Sequence, residues 1–289
     1  KENALPGVLA NRAASGTEII AELGPEHVRT GKPILYTSAD SVWQVAAHEE
    51  AFGLERLYKI CESARKLCDE LGISRVIARP FVGDPTKGIP FKRTYNRHDY
   101  AQLPGSPTFL DALQTLGHPV LGIGKISSIY AAQGITSNID TAGNTDGLRV
   151  LLEQLKIFKK GFLFCNLIDF DMLYGHRRDV KGFGLALEEF DRVMPEIKKH
   201  LGPRDLIILT ADHGNYPTYR GSDHTREYAP LLAYSPSQAG SGAIDLGTRE
   251  SFADLGATVV AALGGNDGLA ATRGTLVGTS FLKEMGLAP

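Results

Sequence analysis

Two short, mostly apolar runs, each ending in aspartate and histidine, constrain this chain more than any other feature. Gly161-Phe162-Leu163-Phe164-Cys165-Asn166-Leu167-Ile168 leads directly into Asp169-Phe170-Asp171-Met172-Leu173-Tyr174-Gly175-His176. Leu206-Ile207-Ile208-Leu209-Thr210 leads into Ala211-Asp212-His213-Gly214-Asn215. Runs of this length and composition read as buried strands. A buried strand delivers whatever follows it to one edge of a sheet. The two runs are therefore expected to bring an Asp–His pair each to adjacent strand ends, and a third imidazole follows in Asp223-His224-Thr225-Arg226-Glu227.

The rest of the chain alternates in a way that suits such a sheet. Residues 16–23 read as a short helix and 33–37 as a strand, ending in Ser38-Ala39-Asp40-Ser41. Apolar positions at Leu57, Ile60, Cys61, Ala64, Leu67, Cys68 and Leu71 follow helical spacing over 54–71, with Gly72 as a stop. A strand over 75–79 is halted by Pro80, and the basic, glycine-bearing stretch 83–100 reads as loop. Leu103-Pro104-Gly105-Ser106-Pro107 is the best boundary, with Ser106 as cap and Pro107 in the first turn of a helix over 108–116. Strands over 119–126, 162–168, 205–210 and 230–234 then alternate with helices over 146–158, 185–201 and 251–263, and 264–275 reads as a surface loop. The expectation is an α/β fold with a mainly parallel sheet flanked by helices in 104–289, preceded by a smaller α/β unit in 1–103. Ligands of such sheets bind beyond the carboxyl ends of the strands, where both Asp–His groups fall.

Composition narrows the function classes. A formal net charge of −2 gives no nucleic-acid or membrane-surface footprint, and no apolar stretch reaches the length of a membrane span. The three cysteines have neither zinc-finger nor CxxC spacing and read as reduced core thiols of a cytoplasmic protein. Nothing in the sequence sets an oligomeric state.

Asp171, His176, Asp212, His213 and His224 offer two carboxylates and three imidazoles. Mixed nitrogen and oxygen ligation suits Mn²⁺, Zn²⁺ or Fe²⁺ better than Ca²⁺, and a pair of ions can clamp the attacking and leaving oxygens of a phosphoryl transfer. Either pair alone reads more readily as a turn cap; two pairs plus His224 point to a dinuclear site. His27, His48, His118 and His200 lack such company and read as solvated or structural. Arg75 and Arg79 share one face of their strand, and with Ser38 and Asp40 they suggest one wall of a sugar-phosphate pocket. Lys125 ends an apolar strand on the ligand edge.

Thr210-Ala211-Asp212-His213-Gly214-Asn215 with Gly221-Ser222-Asp223-His224-Thr225-Arg226-Glu227-Tyr228-Ala229-Pro230 resembles the signature of the phosphopentomutase family, within the alkaline phosphatase superfamily. Asp169-Phe170-Asp171-Met172-Leu173-Tyr174-Gly175-His176-Arg177-Arg178 resembles that family's other metal loop, and Tyr36-Thr37-Ser38-Ala39-Asp40-Ser41-Val42, Asn96-Arg97-His98-Asp99-Tyr100 and Ile123-Gly124-Lys125-Ile126 resemble further segments. The resemblance implies an alkaline-phosphatase-like core carrying two Mn²⁺ ions, plus a smaller cap. It implies interconversion of ribose 1-phosphate and ribose 5-phosphate, and of the 2-deoxyribose pair, through a phosphothreonine primed by a sugar bisphosphate. Asp212 and His213 would hold one ion, and Asp171, His176 and His224 the other. Ser38, Asp40, Arg75, Ile77 and Lys125 would bind the pentose phosphate, with Arg79, Arg97 and Arg177 as further phosphate or supporting groups, and Arg178 beside a metal loop. The family's opening strand with its metal-binding Asp, and its nucleophilic threonine, match nothing here, so 1–103 is expected to be an incomplete cap and the catalytic threonine to lie upstream. A metal phosphohydrolase of the same superfamily and an inactive binding fragment are the competing readings.

Overall fold

Strands buried on both faces lose the polar–apolar alternation that normally announces them, and the first unit is built around two. The computed structural model describes residues 5–37, 42–271 and 276–288. The chain divides into two compact units, Lys1–Leu103 and Pro104–Pro289. In the first, β1 (Leu9–Ala13), β2 (Ile34–Thr37), β3 (Trp43–His48), β4 (Arg75–Asp84) and β5 (Ile89–Arg93) lie in that order, and β6 (His98–Ala101) also pairs with β4. The sheet is mixed: β1/β2 and β3/β4 are parallel, while β2/β3, β4/β5 and β4/β6 are antiparallel. Helix α2 (Leu54–Glu70) buries Leu57, Ile60, Cys61 and Ala64 against Val45, Ala47, Val76 and Ala78. Helix α1 (Gly16–Thr30) buries Ile19 and Ile20 against Ile34, Tyr36, Ala46 and Phe81 on the other face.

Several expectations are corrected here. Helix α1 does not stop at 23 but continues through Pro25 to Gly31, whose φ of 68° closes it in the left-handed region. Strand β4 runs through Pro80: β6 pairs with its Arg75–Ala78 segment and β5 with Phe81 onward, so the missing N–H falls between the two ladders and interrupts neither. The stretch 83–100 is therefore largely strand, not loop.

The second unit contains α3 (Phe109–Thr115), β7 (Val120–Ile123), α4 (Ile126–Ile129), β8 (Ser137–Ile139), α5 (Asn144–Ile157), β9 (Phe162–Cys165), α6 (Val180–His200), β10 (Ile207–Thr210), β11 (Leu231–Tyr234) and α7 (Ala253–Ala271). Strands β8, β7 and β9 form a parallel sheet in that order. Leu110 and Leu113 of α3, Val120, and Val259 and Val260 of α7 form its core, with Phe162, Phe164 and Ile208 packed on it. One further expectation needs correction: among the described residues β10 does not join β9 but pairs antiparallel with β11. Apolar content told both runs apart from loops, but it carries no information on which neighbour supplies the ladder. Helix α3 is capped by Thr108, not Ser106, because Thr108 and Asp111 close a reciprocal capping box. Helix α7 extends to Ala271 around a kink at Gly265 where a loop was expected, and 272–275 lie outside the described residues. No helix among the described residues is long and apolar enough to cross a membrane.

Candidate metal centre

The turn after β9 and the loop after β10 meet at three side chains. His224 Nε2 lies 3.2 Å from His176 Nε2 and 3.3 Å from Asp171 Oδ1, and His176 Nε2 lies 3.4 Å from the same oxygen. Such a triangle fits one ion, because bonds of about 2.1 Å at tetrahedral angles set ligand atoms about 3.4 Å apart. The tautomers fit as well. His176 Nδ1 faces the Ser222 carbonyl at hydrogen-bond distance, so its N–H sits there and the Nε2 lone pair faces the triangle. Burial, helped by neighbouring His213, holds the His224 pKa below its ordinary value against the pull of Asp171, which favours the neutral form a ligand needs.

Asp212 and His213 stand at the end of β10. The His213 ring stacks on that of His224, with centroids 3.7 Å apart and planes at 22°, and His213 Nε2 is 3.5 Å from Asp212 Oδ2. The Asp212 carboxylate is 76% exposed. Gly214 is required beside them: a Cβ there would lie 2.7 Å from both Glu227 Oε2 and the Thr225 carbonyl, across the Gly214–Thr225 bridge that holds the loop.

The sequence reading names Asp171 rather than Asp169, and the hydrogen bonds give the physical reason. The Asp169 carboxylate accepts from the Asn144 N–H at 2.7 Å while its own N–H donates to Asn144 Oδ1 at 2.9 Å, a buried lock between β9 and the start of α5. Asp171 remains for the triangle, oriented by Asn215 Nδ2 at 2.6 Å. Sequence reasoning singled out Arg177, which is exposed; its neighbour Arg178 is the one that reaches both loops. Asn215 and Asn144 were missed, since their role is visible only when two loops meet.

Lys125 is exposed at the carboxyl end of β7, directly after Gly124. Gly124 has φ 84° and packs so closely that a Cβ would lie 2.7 Å from the Asn166 carbonyl. Cys165 is close to this edge, but burial pushes its thiol up to about 12, so it is inert.

In the first unit, Arg75 and Arg79 lie at different places along β4. Registers place Arg75 at the end of the sheet where β2 leaves for 38–41, whereas Arg79, four residues on and about 13 Å along the strand, opens a different place. There Arg79, Arg93, Thr94, Tyr95 and Arg97 line a cleft of about 380 Å³. Arg79 Nε donates to Gln44 Oε1 at 2.8 Å, and Arg97 is forked onto Asp99. Burial, then the charge of Arg97, lowers the Arg79 pKa. Arg93 is the group that sequence reasoning left out. Ile77 is 1% exposed and packs in the sheet, so its side chain is a core residue. Ser38 and Asp40 lie outside the described residues.

Comparison with known proteins agrees with this chemistry. The model of the Metalloenzyme superfamily matches residues 16–267. A relative named phosphopentomutase from Anaeromyxobacter sp. (strain K) is 53% identical over 99% of this chain and 70% of its own length. Another of that name from Symbiobacterium thermophilum is 56% identical over 90% of this chain and 65% of its own. A third, from Caldanaerobacter subterraneus subsp. tengcongensis, is 50% identical over 97% and 68%. Two strand-end loops that bring carboxylate and imidazoles to one triangle, and identity at this level along nearly the whole chain, give one conclusion: the chain belongs to the phosphopentomutase family of isomerase-type enzymes, within the Metalloenzyme superfamily.

Proposed function

We propose that this chain supplies the metal- and sugar-phosphate-binding groups of an enzyme that interconverts ribose 1-phosphate and ribose 5-phosphate, and the 2-deoxyribose pair, through a phosphothreonine. The observation that carries the reading is the Asp171–His176–His224 triangle in a chain of this family. Those three residues would hold one divalent ion, and Asp212 with His213 the other; the mixed oxygen and nitrogen donors suit Mn²⁺. Bound there, the ions supply Lewis-acid charge against the negative charge on phosphoryl oxygens.

The chain's own side chains do the rest. A sugar phosphate carries its charge on tetrahedrally arranged oxygens, two of which a guanidinium fork can bind at once. Arg79 and Arg93 offer that match in the cleft of the first unit, with Arg97 partly satisfied by Asp99. Lys125 offers a point charge at the strand edge, and Arg75 with Ser38 and Asp40 suits the sugar hydroxyls. Thr136 is committed to the fold, its Oγ1 accepting from the Val120 N–H at 3.0 Å. The phosphothreonine, primed by a sugar bisphosphate, is assigned outside the motifs of this chain.

The test is ³¹P NMR of the full-length protein with ribose 5-phosphate, Mn²⁺ and catalytic ribose 1,5-bisphosphate. The expected result is a ribose 1-phosphate resonance without inorganic phosphate, abolished by chelation. Accumulating inorganic phosphate instead would establish the phosphohydrolase.

A further inference from the structure

Arg178 occupies the left-handed region, with φ 55°, a conformation that costs a non-glycine residue on the order of 1 kcal/mol and persists only where its surroundings impose it. The surroundings are five oxygen acceptors. Nη1 donates to Asn215 Oδ1 at 2.7 Å, the Gly175 carbonyl at 3.1 Å and the Tyr216 carbonyl at 3.2 Å. Nε donates to the Gly221 carbonyl and Nη2 to that of Asp223. Gly175 belongs to the turn that carries Asp171 and His176; the other four belong to the loop that carries His224.

Each corner of the triangle is reached at one remove. Asn215, held by Arg178, gives its Nδ2 to Asp171 Oδ1. The Gly221 and Asp223 carbonyls, both held by Arg178, flank Ser222, whose carbonyl accepts from His176 Nδ1. Asp223 immediately precedes His224. We infer that Arg178 is the positioning residue of this metal site, one guanidinium setting the spacing of all three ligands before an ion arrives. Lysine cannot replace it, because an ammonium lacks the planar fork that reaches acceptors on two loops at once.

The inference rests on the triangle being a metal site, so the experiment tests both. Mn²⁺ would be titrated into the full-length protein and its free fraction read by electron paramagnetic resonance, for wild type, His224→Ala, Arg178→Lys and Asn215→Ala, with metal-free melting temperatures alongside. His224→Ala should remove one tight equivalent of Mn²⁺; retention of that equivalent would overturn the site itself. Arg178→Lys should keep the stoichiometry and weaken affinity about 10–100-fold, the usual effect of losing a group that orients ligands. Asn215→Ala, which cuts only the arm to Asp171, should weaken it less. Unchanged affinity in Arg178→Lys, even with a lowered metal-free melting temperature, would reduce Arg178 to a structural residue and overturn the inference while leaving the site intact. If Arg178→Lys does not fold, unchanged affinity in Asn215→Ala overturns it equally.

Discussion

His27 is 1% exposed, and both ring nitrogens are committed: Nδ1 faces the Lys32 carbonyl at 2.7 Å and Nε2 accepts from the His48 N–H at 2.8 Å. Around it stand Phe52, Phe81 and His48. Burial lowers its pKa, with His48 adding to the effect and the Lys32 hydrogen bond opposing it. A histidine whose folded pKa lies below the unfolded value near 6.5 favours the folded state fully above that value. The contribution is lost as pH falls below it, because the unfolded chain binds the proton first. Urea unfolding at pH 7.5 and 5.5 should therefore show wild type losing more stability on acidification than His27→Gln; equal losses would rule out His27 as a source. The sequence reading of His27 as solvated or structural resolves to structural. At this same scale the choice of Arg178 over Arg177 was illegible. Adjacent residues share composition and spacing, and only the partner on a distant loop separates them.

Elements were legible where their signals are local. The apolar stripe of α2 and the turn after it at Gly72, with φ 67°, follow from helical spacing alone. Strand β3 went unread because five of its six residues are buried, leaving no alternation, and its polar members Gln44 and His48 argue against a strand until their partners Arg79 and Gly83 are known. The start of α3 is a competition between two plausible caps two residues apart, Ser106 and Thr108. Thr108 wins because Asp111 Oδ2 accepts from its N–H at 2.6 Å and also from Gln133 Nε2 at 2.9 Å. Thr108→Ala should cost about 1 kcal/mol by denaturant unfolding, while Ser106→Ala should be near neutral. The reverse order would restore Ser106 as the cap.

At the scale of the molecule, the triangle belongs to the second unit, so metal linkage should act there. Mn²⁺ at about 100 times its dissociation constant stabilises the state that binds it by about 2.7 kcal/mol. Hydrogen exchange should consequently slow by up to about 100-fold for amides in 170–176 and 213–225, with 9–101 little changed. Equal slowing in both units, or none at 213–225, would refute this. What the sequence determined by itself was the α/β class, the family, and the Asp171, His176 and His224 that the fold gathers, because motif and periodicity are properties of neighbouring residues. Tertiary structure alone decided that β10 pairs with β11, that Arg75 and Arg79 lie toward different ends of one sheet, and that a single guanidinium spans two loops. Each of these depends on which distant backbone supplies the hydrogen-bond partner, and no local pattern carries that information.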